Sequence, residues 1–201
     1  ELSDLTANIN ALRGAIIKKV LDVLDIQVPD IILQKMSTGM TTNPEAYKLY
    51  HEGLYKIEIV KNTAEYPAAK LLFAEAIEKD GYFVEAYAQK AITASKMGQI
   101  EEAEELIDKG MDIAEKLNNE IGKAKLLFAM GYINTNSVKI RKAVKNFEKA
   151  LKIQVKYEDQ LSESKTLTNL SHCYINLGEP DKAIGMLNKS ILLMLNLEKD
   201  N

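Results

Sequence analysis

Four alanines, Ala69, Ala103, Ala143 and Ala183, recur at a nearly constant interval whose last two steps are equal, and four positions after each stands a large apolar side chain: Phe73, Ile107, Phe147 or Leu187. Three residues further come Ala76, Gly110, Ala150 and Ser190, all small, and next to them Ile77, Met111, Leu151 and Ile191. Twelve residues upstream of the last three alanines lie Ala91, Gly131 and Ser171. Spacings of four and then three put such residues on one face of a helix. Small residues there let two backbones approach, and the large residue between them fills the gap to the neighbour. A unit of this length cannot bury its apolar face alone, so each is predicted to be a helical hairpin that stacks on the next.

The breakers keep the same period. Met97-Gly98-Gln99 and Leu177-Gly178-Glu179-Pro180 lie two of the longer intervals apart, and in both glycine ends one helix where the next begins. Thr135-Asn136-Ser137 fills the slot between them, with Asn136 expected in the left-handed conformation and Ser137 as the next cap. Connections between hairpins are expected at Asp80-Gly81, Asn118-Asn119 and near Glu158-Asp159. Only 4 prolines and 10 glycines interrupt 201 residues, and no segment alternates β-branched with polar residues, so the chain reads as all-α.

Composition removes several function classes. The 26 Lys+Arg against 29 Asp+Glu leave a net charge of -3, with no cation excess to displace counterions from a phosphate backbone. Arg13 and Arg141 are the only arginines, which thins the supply of bidentate phosphate contacts. Nucleic acid is not an expected partner. The longest apolar run, residues 191–195, is far short of the roughly 20 residues a membrane helix needs. The single cysteine, Cys173, cannot form an internal disulfide, and the expected location is a reducing, cytoplasmic one.

With the period and the turns in hand, residues 44–197 resemble tetratricopeptide repeats, most clearly at 166–184, which read TLTNLSHCYINLGEPDKAI. The chain departs from that pattern in having no tryptophan and no proline at the repeat ends, which fits longer second helices. The resemblance implies a right-handed superhelical solenoid of about four hairpins, at 44–81, 82–118, 119–158 and 159–198, within a repeat domain spanning 44–201. In the first hairpin Gly53 lies four positions further ahead of Ala69 than the twelve-residue spacing requires, as a four-residue insertion around 62–66 would explain.

Residues 1–43 stand outside the repeats. Leu5, Ile9, Leu12, Ile16, Val20 and Val23 fall at spacings of four and three, predicting an amphipathic helix over residues 3–25. Pro29 can open a short helix through Met36, and 37–43 is a turn-rich linker ending in Asn43, the expected cap of a helix opened by Pro44. The run Asn43-Pro44-Glu45-Ala46-Tyr47, with Leu49, Tyr50 and Gly53, is similar to the junction of bacterial multidomain proteins in which a TolB-like or cyclase-associated domain precedes tetratricopeptide repeats. That likeness implies that Glu1 opens a C-terminal piece of a larger regulatory protein.

No catalytic pattern emerges. His51 and His172 fall on different repeats without a paired acid and nucleophile, and there is no Gly-rich phosphate loop, His-x-x-x-His or Cys-x-x-Cys. No metal, cofactor or enzymatic activity is expected. Glu101, Glu102, Glu104 and Glu105 offset a helix dipole, Cys173 reads as a buried inert thiol, and the sequons at Asn169 and Asn188 fall inside helices.

Binding is the expected function, on the concave surface lined by the first helices. In the third hairpin Leu127, Met130 and Gly131 are assigned to the core, leaving Lys125, Phe128, Tyr132 and Thr135 along the groove. In the fourth, Leu167, Leu170, Ser171 and Tyr174 face inward, leaving Lys165, Thr168, Asn169, His172 and Asn176. The candidate peptide-binding set is therefore Lys125, Phe128, Tyr132, Lys165, Asn169, His172 and Asn176: amides for an extended backbone, aromatics for apolar side chains. Phe128 and Tyr132 alternatively pack between neighbouring first helices. Some tetratricopeptide modules clamp a terminal carboxylate with lysines and asparagines. Here only Lys125, Lys165 and Asn169 fit those parts, beside Tyr50, Leu54, Ala88 and Gln89, so a carboxylate terminus is not the leading ligand. The last helix is apolar over more than one stripe and is expected to be covered, by the same helix of a second chain, by the amphipathic N-terminal helix of a neighbouring chain or by a capping segment beyond Asn201; the leading reading is homodimerisation through Leu193, Met194 and Leu197. The other reading open at this level is an oligomerisation or spacer module within a bacterial signalling protein.

Overall fold

The computed structural model describes residues 41, 43–58 and 63–199, and among them every regular element is helical. The predicted helix over 3–25 and the short helix after Pro29 lie outside the described residues. Four antiparallel hairpins follow one another. The first pairs α1 (Pro44–Glu58) with α2 (Tyr66–Lys79), the second α3 (Val84–Lys96) with α4 (Ile100–Lys116). The third pairs α5 (Glu120–Asn136) with α6 (Ile140–Lys156), and the fourth α7 (Gln160–Asn176) with α8 (Pro180–Lys199). Each second helix also packs on the next first helix, so the hairpins form a continuous solenoid.

The alanine register is the physical core of each second helix. Ala69, Phe73 and Ala76 on α2 and Ala143, Phe147 and Ala150 on α6 are fully buried. Burying each phenylalanine contributes about 1.5–3 kcal/mol. The small residues facing them are close-packed: a Cβ on Gly131 would lie 2.6 Å from the Phe147 ring, and one on Gly53 2.6 Å from Phe73. Gly53 therefore occupies in the first hairpin the place Gly131 holds in the third. The extra four residues fall in the α1–α2 connection, where seven residues separate Glu58 from Tyr66, against three between Lys96 and Ile100. Part of that connection, Thr63–Glu65, is a 3-10 turn.

The core assignment within α5 needs correction. Ala124, Leu126, Ala129 and Ile133 are its fully or nearly fully buried apolar residues, whereas Leu127 and Met130 are half-buried. The helix is sandwiched between α6 and the preceding hairpin, so its buried arc is wider than, and rotated from, the single stripe its own partner requires.

The turns carry a second period. The helices α4 to α8 begin at Ile100, Glu120, Ile140, Gln160 and Pro180, evenly spaced, and each preceding turn holds one residue at positive φ: Gly98, Asn118, Val138, Glu158 and Gly178. In each, the next backbone N–H reaches the carbonyl five residues back, as from Gln99 to Ala94 (3.0 Å) and Glu179 to Tyr174 (2.9 Å). This is the Schellman closure that satisfies the last free carbonyls of a helix. Asn136, expected to be left-handed, is instead the last residue of α5, and Val138 takes the positive φ of 59°. Ser137 gives its hydroxyl to the Ile133 carbonyl and does not cap α6, which has no side-chain cap. Capping oxygens come from Asn43 to the Glu45 and Ala46 amides, from Asn119 to Gly122, and from Asp159 to Ser162.

Candidate peptide-binding groove

First helices α1, α3, α5 and α7 converge on the inner curve of the solenoid. A cavity of about 240 Å³ takes walls from all four, among them Tyr50, Glu85, Gln89, Phe128 and Lys165. Adjoining it, and sharing Gln89, Ile92, Phe128 and Lys165, is a cavity of about 540 Å³ that continues past Tyr132 and Asn169 to Met194 on α8. Shared walls make the two one groove.

Lys125, Phe128, Tyr132, Lys165 and Asn169 are thus brought together. His172 and Asn176 are exposed on α7 and line neither cavity. Phe128 and Tyr132 are half-buried against the apolar cores on either side of α5, with the Phe128 ring 5.5 Å from that of Phe147, yet each also faces the groove. The Tyr132 hydroxyl is pushed above its ordinary pKa, first by burial. Lys96 stands over this ring at 5.8 Å.

The floor is polar. Lys125 reaches the buried carboxylate of Glu85 at 3.3 Å, and the other oxygen of that carboxylate, Oε2, has no hydrogen-bond partner among the described residues. Gln154 Oε1, on α6 and lining the same cavity, is likewise buried and unbonded. A buried acceptor without a donor costs about 1–3 kcal/mol, which a donor-bearing occupant would recover. Gln154 was not among the expected site residues. Its signal was present: it stands at a buried position of the stripe Ala143, Phe147 and Ala150, where α4 has Ala114. Met194, assigned to a self-association face, also lines this groove. Its neighbour Ser190 ties α8 to α7 through hydroxyl contacts with Ser164 (2.9 Å) and Thr168 (3.1 Å).

The Cys173 thiol is not presented to solvent. Cys173 is fully buried and its thiol is pushed up by burial, with the Thr135 hydroxyl 3.8 Å away. Among the described residues no group of His, Cys, Asp and Glu is placed to hold a metal, and no helix is long and apolar enough to cross a membrane.

Residues 72–105 and residues 164–193 each match a family model described as tetratricopeptide repeat. These two segments have the tetratricopeptide pattern. Similar solved structures agree on the fold. A STAND signal transduction ATPase with a tetratricopeptide repeat sensor, from Pyrococcus horikoshii, superposes with a TM-score of 0.64 at 21% identity, over 98% of this chain and 29% of that one. A MamA RS-1 double mutant superposes with a TM-score of 0.50 at 14% identity, over 94% and 96%. MamA from residue 41 of Desulfovibrio magneticus RS-1 gives 0.50 at 14% identity, over 83% and 84%. No curated protein matches the chain. At these identities the likeness speaks for a tetratricopeptide solenoid and not for any partner.

Proposed function

We propose that this tetratricopeptide array is a non-enzymatic scaffold that holds a peptide segment of a protein partner in its concave groove. The observation that carries the reading is the single groove walled by all four first helices, in which half-buried aromatics stand beside unbonded acceptors. Aromatic faces hold apolar side chains, and the acceptors suit backbone or side-chain N–H donors. The setting we propose is the bacterial cytoplasm, where the array belongs to a larger regulatory protein with a TolB-like or cyclase-associated domain ahead of the repeats.

Selection from a displayed peptide library against the chain tests the proposal. Selected peptides should lose about tenfold or more in affinity when Tyr132→Ala or Lys165→Glu is introduced, with helicity unchanged. Peptides bound equally by both variants would place binding elsewhere. Self-association is the second reading, and α8 favours it: Ile184, Ile191, Leu192 and Leu195 are exposed together with Met194. Leu193 and Leu197 are half-buried beside them. Sedimentation at several concentrations, with Leu192→Glu as the control, separates a dimer from a monomer.

A further inference from the structure

The first hairpin leaves open a face that is covered in each later hairpin. Aligning Gly53 with Ala91, Gly131 and Ser171 puts Lys48 in register with Ala86, Leu126 and Thr166, and Tyr55 with Thr93, Ile133 and Cys173. Those six counterparts are all fully buried. The preceding hairpin covers them: a Cβ on Gly110 of α4 would lie 2.6 Å from Leu126, and Thr135 of α5 touches Cys173. In the first hairpin the same positions are open, with Tyr55 60% exposed and the Lys48 side chain 75%. They border an open cavity of about 700 Å³ lined by Tyr47, Tyr55 and Leu72 together with the imidazole of His51. Its charged rim is neutralised by the ion pairs Lys48–Glu52 and Lys56–Glu65.

We propose that residues 3–25 of the same chain dock as a helix on this face, in the place a preceding repeat would occupy. Their stripe Leu5, Ile9, Leu12, Ile16, Val20 and Val23 supplies the apolar face. Leu12, Ala15 and Ile16 repeat the large, small, apolar order of the second helices, with Asn8 where those have alanine. Charges do not oppose the docking: Asp4, Asp22 and Asp25 balance Arg13, Lys18 and Lys19, and the rim is neutral as well. Reach is ample, because the intervening segment 26–40 extends up to about 50 Å while the 15 residues of α1 span about 22 Å. A repeat array needs its terminal apolar surface capped, and this segment is the part of the chain at hand to do so.

A nitroxide on Glu52→Cys, at the rim of the face, tests the proposal in the full chain, since the buried Cys173 thiol is shielded from labelling. The amide signals of residues 5–23 should lose most of their intensity, and Leu12→Asp combined with Ile16→Asp should restore them. In the same double variant, amide exchange in α1 should quicken about tenfold while α5 to α7 keep their rates. Unaffected signals in residues 5–23, or α1 exchange indifferent to the double variant, would overturn the proposal. So would broadening seen only between chains, in a mixture of isotope-labelled and spin-labelled protein, which would assign the face to a second copy.

Discussion

Val138 shows what a single residue costs in a repetitive frame. Its position in the regular succession of turns demands a left-handed backbone, which costs a residue with a Cβ about 1–2 kcal/mol, and a β-branched one is a poor occupant. The side chain is 80% exposed, so almost no packing offsets that cost. Val138→Gly should therefore stabilise the chain by about 0.5–1 kcal/mol once the extra freedom of glycine in the unfolded chain is counted, read as a higher urea midpoint with an unchanged m value. Cys173 gives the opposite kind of residue. Because burial raises its pKa, the reactive thiolate is scarcer than in a free cysteine at any given pH. Iodoacetamide at neutral pH should leave the folded protein unmodified and alkylate it fully in denaturant; rapid native labelling would show that α7 does not pack as described.

Among the elements, the second helices were the most legible in the sequence, because their small-large-small stripe keeps a fixed spacing. The turns were legible only in part. Gly98 and Gly178 announce a left-handed residue, but the same conformation falls on Asn118, Val138 and Glu158, where the closing hydrogen bond of the helix, and not residue type, sets it. The first helices were the least legible, since burial there comes from two sides and moves Leu127 and Met130 off the core centre. The register itself can be tested on α6. Ala143→Leu should cost about 1–3 kcal/mol by overpacking a fully buried site, whereas Lys142→Leu, on the exposed side, should stay within about 0.5 kcal/mol. Thermal melts that move equally would contradict the register.

At the scale of the whole molecule, the groove depends on curvature that no local pattern encodes. Lys125, Phe128, Tyr132, Lys165 and Asn169 could be read from helix faces, but Tyr50 sharing a cavity with Lys165, or Met194 with Tyr132, follows only from the stacking of four hairpins. Under the proposed function, the polar floor trades stability for binding. Gln154→Met should stabilise the chain by about 1 kcal/mol by removing an unbonded acceptor, and should weaken the affinity of selected peptides. Stabilisation with undiminished affinity would make Gln154 a passive defect of packing.

The most direct measurement is a map of amide chemical shifts on titrating a library-selected peptide into the isotope-labelled chain. The changes should concentrate at Tyr50, Gln89, Phe128, Tyr132, Lys165 and Asn169, spanning all four first helices. Shifts confined to the outer side of α8, at Ile184, Leu192 and Leu195, or to Tyr47 and Tyr55 at the opposite end, would contradict a groove-bound ligand.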